Sequence, residues 1–296
     1  MAERRPLVNI SGNLQELPTG DTLPGVASSV AVGTADVRLD YSDASTLALN
    51  PVAGLSGLIE VNGESVDCST PLTLAKTANL ISAAGADVGS AMSAGTFYYV
   101  YVSNSSASYA PSSVRASTTA PTAGYLGASG NAAEWRYVGD CYLWSDGSFY
   151  DTAQLRLVRS EYNTKLVKVA AIFPSTWNYA TATWREVNAG SGVTRGYFLG
   201  DGKNQIDMNL QMLCLAYYGR TYTSRVYFDG ATAGVQASLN ANVGSAGQYI
   251  QNTINATYQA VVARGLHNIS GAEFSNGGSS TGYGGSYGDA YAIIPI

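Results

Sequence analysis

The sequence predicts an all-β chain: an extended arm over residues 1–40, a β-sandwich or barrel-like module over 41–165, and a second β domain over 166–296. Three observations carry that reading. Residues 205–212, Gln-Ile-Asp-Met-Asn-Leu-Gln-Met, alternate polar and apolar without a break, the period of two that a half-buried strand requires and a helix cannot use. Residues 96–103, Thr-Phe-Tyr-Tyr-Val-Tyr-Val-Ser, place Phe97, Tyr99 and Tyr101 on one face and Tyr98, Val100 and Val102 on the other, a strand covered on both sides. The composition agrees: 33 Gly, 21 Tyr and long stretches of Ser, Thr, Asn and Ala stand where charge would be, and 12% of the residues are charged against roughly 25% in a typical soluble domain.

The arm holds Pro6, Pro18, Pro24, Gly12, Gly20 and Gly25, spaced too closely for a regular element of useful length. It also holds Leu7, Val8, Ile10, Leu14, Leu17 and Leu23, more apolar side chains than a solvated linker needs, so it is expected to pack on another surface. Residues 72–92, with Leu, Ala and Lys, are the one stretch that could form a short helix. Residues 103–134, rich in Ser, Ala, Thr and Pro, read as loops with short strands. Arg136–Trp144 and Ser148–Tyr150 flank Ser145-Asp146-Gly147, and the Asp-Gly pair predicts a tight turn between two hairpin strands. Leu155–Arg159 and Leu166–Phe173 are short β runs.

In the last third, Thr221–Asp229 sets Tyr222, Val226 and Phe228 on one side of Arg225 and Tyr227 and ends in an Asp229-Gly230 turn. Tyr249–Ala263, Leu266–Phe274 and Ala290–Ile296 complete a run of strands at the spacing of a sandwich or barrel.

Several function classes are disfavoured. A net charge of −5 with only four lysines, Lys76, Lys165, Lys168 and Lys203, argues against nucleic acid, whose binding needs clustered cations. No apolar run approaches the about 18 residues of a membrane span, and the first residues lack the apolar stretch of a secretory signal. Cys68, Cys141 and Cys214 are far apart and read as buried free thiols. His267, the sole histidine, would have to serve any Ser-His-Asp or Cys-His pair, yet it lies inside a predicted strand, where a packing role is expected. Asp140, Asp146, Asp151, Asp201, Asp207 and Asp229 offer carboxylates for glycoside hydrolysis, but nothing in the sequence sets two of them at a catalytic separation. No catalytic residue, metal or cofactor is expected.

The aromatic supply, with Trp135, Trp144, Trp177 and Trp184 beside the tyrosines, suits packing, protein interfaces and sugar faces. The segment Asn276–Asp289 differs from the rest, with six glycines and two tyrosines between two predicted strands. Tyr283, Tyr287 and Asp289 are therefore the candidate contact residues.

Three places resemble tailed-bacteriophage virion proteins of the fibre, spike and head-decoration kind. Pro6-Leu-Val-Asn-Ile-Ser-Gly-Asn-Leu-Gln-Glu-Leu-Pro-Thr-Gly-Asp-Thr-Leu-Pro24 is similar to attachment-arm segments of such chains. Phe97-Tyr-Tyr-Val-Tyr-Val, then Tyr137-Val-Gly, Gly147-Ser-Phe and Leu155-Arg-Leu-Val-Arg-Ser160, resembles a β module of phage fibres. Ala263-Arg-Gly-Leu-His-Asn-Ile-Ser270 and the closing apolar strand resemble trimeric jelly-roll tips. The resemblance implies a homotrimer with a jelly-roll-like C-terminal domain on the exterior of the virion. Its arm would be anchored to a major capsid or a tail or baseplate protein, and its tip would contact a host cell-surface glycan. The alternatives are a tail-fibre receptor-binding protein or a polysaccharide depolymerase, although no 20 to 50 residue repeat of the kind solenoid enzymes carry is visible. A secreted sugar-binding lectin would account for the aromatics but not for the arm.

Overall fold

A computed structural model describes residues 7–10, 13–16, 35–77, 79–104, 113–127, 130–173, 176–190, 193, 195–240, 249–276, 280–282 and 288–296. The chain divides into two compact units, Met1–Thr34 and Ala35–Ile296. In the first, β1 (Leu7–Ile10) pairs antiparallel with β2 (Asn13–Glu16), Leu7 opposite Glu16 and Ile10 opposite Asn13. The arm thus contains one short hairpin despite its prolines and glycines, because Leu7–Ile10 and Asn13–Glu16 are free of both. Of Leu7, Val8, Ile10 and Leu14 only the backbone is described, and Leu17 and Leu23 lie outside the described residues.

The second unit is all-β, with no α-helix among the described residues. Its first part comprises β3 (Val37–Asp43), β4 (Thr46–Pro51), β5 (Leu58–Val61), β6 (Glu64–Asp67), β7 (Leu72–Ala75), β8 (Thr96–Ser103), β9 (Val114–Ser117), β10 (Trp135–Leu143), β11 (Leu155–Arg156) and β12 (Val158–Ser160). Strands β3-β4-β7 form one sheet, β5-β6 a hairpin and β12-β10-β8-β9 a four-stranded sheet. Their inward side chains, among them Val37, Leu49, Ile59, Val100, Val138 and Phe149, make one core. Val37 and Leu39, read from sequence as the end of the arm, are part of it.

The alternation of β8 is obeyed on both sides. Tyr98, Val100 and Val102 enter the main core, while Tyr101 packs with Trp135, Tyr137 and Ile81 in a second, smaller cluster. The stretch 72–92 is not helical. Leu72–Ala75 pairs with β4, Leu74 is fully buried, and Gly85 and Gly89 take positive φ values of 79° and 61° that end any regular run. The Asp146-Gly147 turn forms, with Gly147 N–H donating to the Trp144 carbonyl at 2.9 Å. Ser148–Tyr150 does not return along β10, however. Phe149 is drawn into the core, its N–H donating to Ala44, and β10 pairs instead with β8 and β12.

The remainder comprises β13 (Leu166–Ile172), β14 (Trp177–Tyr179), β15 (Arg185–Glu186), β16 (Gly196–Gly200), β17 (Gln205–Tyr217), β18 (Thr221–Phe228), β19 (Ala231–Asn240), β20 (Tyr249–Val261), β21 (Gly265–Ser275), β22 (Ser280–Gly282) and β23 (Gly288–Pro295). Eight of these strands build two facing layers, β13-β23-β17-β20 and β16-β21-β18-β19. Counted in chain order they are the first, eighth, third and sixth, and the second, seventh, fourth and fifth, which is jelly-roll connectivity. The register of β17 is fixed by its alternation: Ile206, Met208, Leu210 and Met212 are buried between the layers and Gln205, Asp207 and Gln211 face out. Asp229 and Gly230, with φ of 48° and 82°, supply the tight turn from β18 to β19.

The two layers meet differently on their two sides. On one side β11 pairs parallel with β16, and the Ala170 N–H of β13 donates to the Ala153 carbonyl at 2.8 Å. The β11 segment of the first part therefore covers an edge of the second. On the other side β19 and β20 share a single paired position, Val235 opposite Thr257. Gly234 takes φ of 73° there, and a Cβ at that position would lie 2.2 Å from the Thr257 carbonyl oxygen, so the approach requires glycine.

A buried polar cluster at Asp140 joins the two parts. Arg159 Nε and Nη2 donate to Asp140 Oδ2 at 2.9 and 2.5 Å, and the Tyr137 hydroxyl donates to Oδ1 at 2.6 Å. Arg264, from the jelly roll, lies over the Tyr137 ring, and Lys203 bonds Glu161. Burial pushes the Asp140 carboxyl above its usual range, against the opposing pull of Arg159 and the Tyr137 hydroxyl.

Candidate functional surface

The aspartates singled out from sequence are each engaged by a neighbour. Asp140 holds Arg159, Asp146 accepts from the Tyr150 hydroxyl at 2.6 Å, Asp151 from Arg156 at 2.7 Å, Asp207 from Gln259 at 2.7 Å, and Asp229 lies 2.6 Å from His267 Nδ1. Asp201 caps its own loop. Burial would raise its carboxyl, but the N–H groups of Asn204 and Lys203 hold it below the usual range. His267 stacks on Phe228, and its second nitrogen lies 2.8 Å from the Ala263 carbonyl oxygen. Neither ring nitrogen is left to activate a nucleophile. Cys68, Cys141 and Cys214 are free and buried, and burial pushes the Cys68 thiol up to about 12, which leaves it protonated and unreactive near neutral pH.

Of the candidate contact residues, Tyr283 and Tyr287 lie outside the described residues. Asp289 is not in a loop. It belongs to β23, opposite Ile172 and Gln211, and accepts from Lys168 Nζ at 2.5 Å. Part of the glycine-rich segment is also strand, since β22 pairs with β14 and β17. Backbone pairing overrides the loop reading there.

Sequence reasoning did not single out Glu273. It is fully buried, accepts from Trp177 Nε1 and the Tyr222 hydroxyl through Oε2 at 2.6 and 2.7 Å, and from Arg185 Nε and the Asn188 N–H through Oε1 at 2.8 and 3.0 Å. All four donors converge from elements packed against β21, so the group ties the interior of the jelly roll together. The signal was present in the alternation, because Glu273 follows the core residue Ile269 by two periods of two.

The outer face of β13-β23-β17-β20 is a broad sheet surface whose described side chains are mostly exposed or half-buried. Cross-strand rows run Ala170, Tyr291, Asn209, Thr257 and then Val235 of β19; Lys168, Ile293, Asp207, Gln259; and Ile172, Asp289, Gln211, Asn255. Lys168 and Asp289 neutralise each other, which leaves Asp207 as the single unbalanced charge in these rows. Amides, hydroxyls and isolated apolar groups fill the rest. A face of this kind offers hydrogen-bond donors and acceptors around one carboxylate.

Where β19 departs from β20, the face dips into a cavity of about 570 Å³ lined by Asp207, Met208, Asn209, Gly234, Val235, Thr257, Tyr258 and Gln259. Among the described residues no group of three or more His, Cys, Asp or Glu side chains is placed to hold a metal ion.

No family model and no curated protein sequence matches the chain. Two solved structures show a low-level likeness. The structure of infectious bursal disease virus, Gx strain, has 10% identity and a TM-score of 0.29 over 87% of this chain and 66% of that one. A Cry1Da tryptic core variant from Bacillus thuringiensis has 9% identity and a TM-score of 0.23 over 88% of this chain and 50% of that one. The chain thus spans less than two thirds of either length, and at these scores neither likeness carries an argument about function.

Proposed function

We propose that the chain is a structural component of a bacteriophage virion, a homotrimeric projecting fibre or spike or a capsid decoration protein on the particle exterior. The observation that carries this reading is the jelly roll itself, an architecture suited to capsid and lectin domains, built here with a charge-poor outer face. The resemblance of the arm, the tyrosine strand and the chain ending to phage virion proteins supports the same role. Residues 1–34 attach it to a capsid or tail protein, and closed three-fold symmetry covers surface that a lone chain would leave exposed. The charge-poor face and its cavity favour, within that role, contact with a host surface glycan rather than decoration alone.

The experiment uses particles lacking this protein. The full-length chain is expected to exceed the 30.9 kDa monomer by light scattering and to co-sediment with them, while a chain beginning at Ala35 is expected to remain in the supernatant. Equal co-sedimentation of the two would refute the attachment role, and a monomer at micromolar concentration would refute the trimer.

A further inference from the structure

The cavity on the outer face is built by a single local event. Gly234 lets β19 come within contact of the Thr257 backbone, and Val235, 69% exposed, then stands as a wall beside β20 and β17. The floor is polar. Gln259 Nε2 donates to Asp207 Oδ1 at 2.7 Å, which fixes the carboxylate and leaves Oδ2 without a hydrogen bond among the described residues. The Asn209 amide and the Thr257 hydroxyl, cross-strand partners, flank it. The volume of about 570 Å³ falls within the roughly 300–1,000 Å³ of small-molecule sites.

The lining decides the chemistry of the ligand. No lysine or arginine lines the cavity, so a phosphate or carboxylate would meet Asp207 with no counter-charge. One carboxylate is too few for a calcium or magnesium ion, which needs six or more oxygen ligands or ordered waters. An apolar ligand would meet Val235, but Met208 is buried in the core and Tyr258 packs on Phe228, and it would have to cover the Asp207 carboxylate and the Asn209 and Gln259 amides without pairing them. What remains is a neutral molecule that both donates and accepts hydrogen bonds at close spacing. Adjacent hydroxyls of a sugar ring would donate to Asp207 Oδ2 and accept from the Asn209 amide, with ring C–H groups against Val235.

We propose that this groove binds one or two residues of a neutral saccharide. Asp207, Asn209 and Thr257 are the contacting groups, and Gln259 is a positioning residue that orients the carboxylate. Biological use of the site rests on the host-contact reading above, but binding itself belongs to the free protein. A single shallow site of this kind is weak, and three copies on one trimer would raise its avidity.

The test is saturation-transfer NMR on the full-length protein with maltose, lactose, cellobiose and diacetylchitobiose as neutral probes and galacturonic acid and glucose 6-phosphate as charged ones. Transfer to at least one neutral probe and to neither charged one is expected. Asp207→Ala should weaken that binding by about tenfold or more, the loss of a charge-assisted hydrogen bond, and Asn209→Ala should weaken it independently. Gln259→Leu should weaken it less, with rescue by Gln259→Asn absent because the shorter amide cannot reach Asp207. Leu166→Ala, 74% exposed on β13 and away from the groove, should leave it unchanged.

All substituted side chains face outward, and unaltered circular dichroism checks that the fold is kept. Failure of every neutral probe, equal transfer to the charged probes, or undiminished binding by both Asp207→Ala and Asn209→Ala would overturn the proposal. Particles that carry the chain while no saccharide binds would defeat the groove and leave the virion role standing. Saccharide binding by a chain absent from particles would do the reverse.

Discussion

Glu273→Ala is expected to destabilise the chain by about 3–5 kcal/mol, the cost of breaking a buried charged network by removing one partner. The carboxylate is fully buried and accepts four hydrogen bonds, from Trp177, Tyr222, Arg185 and the Asn188 backbone. Its loss removes the shared acceptor of Trp177, Tyr222 and the Asn188 N–H, while Arg185, 31% exposed, can turn to water; each buried donor left unmet costs about 1–3 kcal/mol before relaxation. Glu273→Gln keeps the shape and one carbonyl oxygen, so it should lose clearly less than the alanine variant. Urea unfolding followed by tryptophan fluorescence measures both. A loss under about 1 kcal/mol for Glu273→Ala would mean that water reaches these donors and that the cluster is not a structural tie.

Asp140→Ala is expected to cost a similar amount, about 3–5 kcal/mol, because Arg159 is only 3% exposed and its guanidinium would remain in the interior without its closest counter-charge. Glu161 at 3.2 Å recovers part of that loss. The informative comparison is with the double variant Asp140→Ala, Arg159→Met. Removing both partners of a buried ion pair leaves no stranded charge, so the double variant should be more stable than Asp140→Ala alone. Urea midpoints of the two variants decide the point, and a double variant less stable than the single one would show that Arg159 is held by the remaining cluster rather than by Asp140. The Tyr137 hydroxyl also donates to Arg159's partner, so loss of Asp140 would be felt on both sides of the junction where Arg264 packs.

Much of the jelly roll was legible because its long strands obey a period of two. In β17 and β20 the faces are cleanly divided, and in β18 the Asp229-Gly230 turn marks the end. Strand β19 was not legible. Its residues, Ala-Thr-Ala-Gly-Val-Gln-Ala-Ser-Leu-Asn, are small and mostly exposed, with Leu239 alone fully turned inward, so pairing with β18 rather than a hydrophobic pattern makes it a strand. The four-residue strands β5, β6 and β7 are too short to show a period at all. The Leu and Ala of residues 72–75, which suit a helix locally, are held extended by β4, a case of tertiary pairing overriding propensity.

The groove was less accessible to sequence reasoning than the fold. Asp207 stood among six candidate aspartates, and what distinguishes it is the cross-strand position of Gln259, 52 residues later, together with the close approach of Gly234 to β20. Both depend on register between strands far apart in the chain. Composition alone points to Asn276–Asp289 as a contact loop, whereas Asp289 is a strand residue tied to Lys168.

Electron microscopy of phage particles carrying a gold-labelled copy of this chain tests the virion role most directly. Label at regular positions on the particle exterior, on capsid or tail, is the expected result; particles of normal composition that carry no label would contradict it.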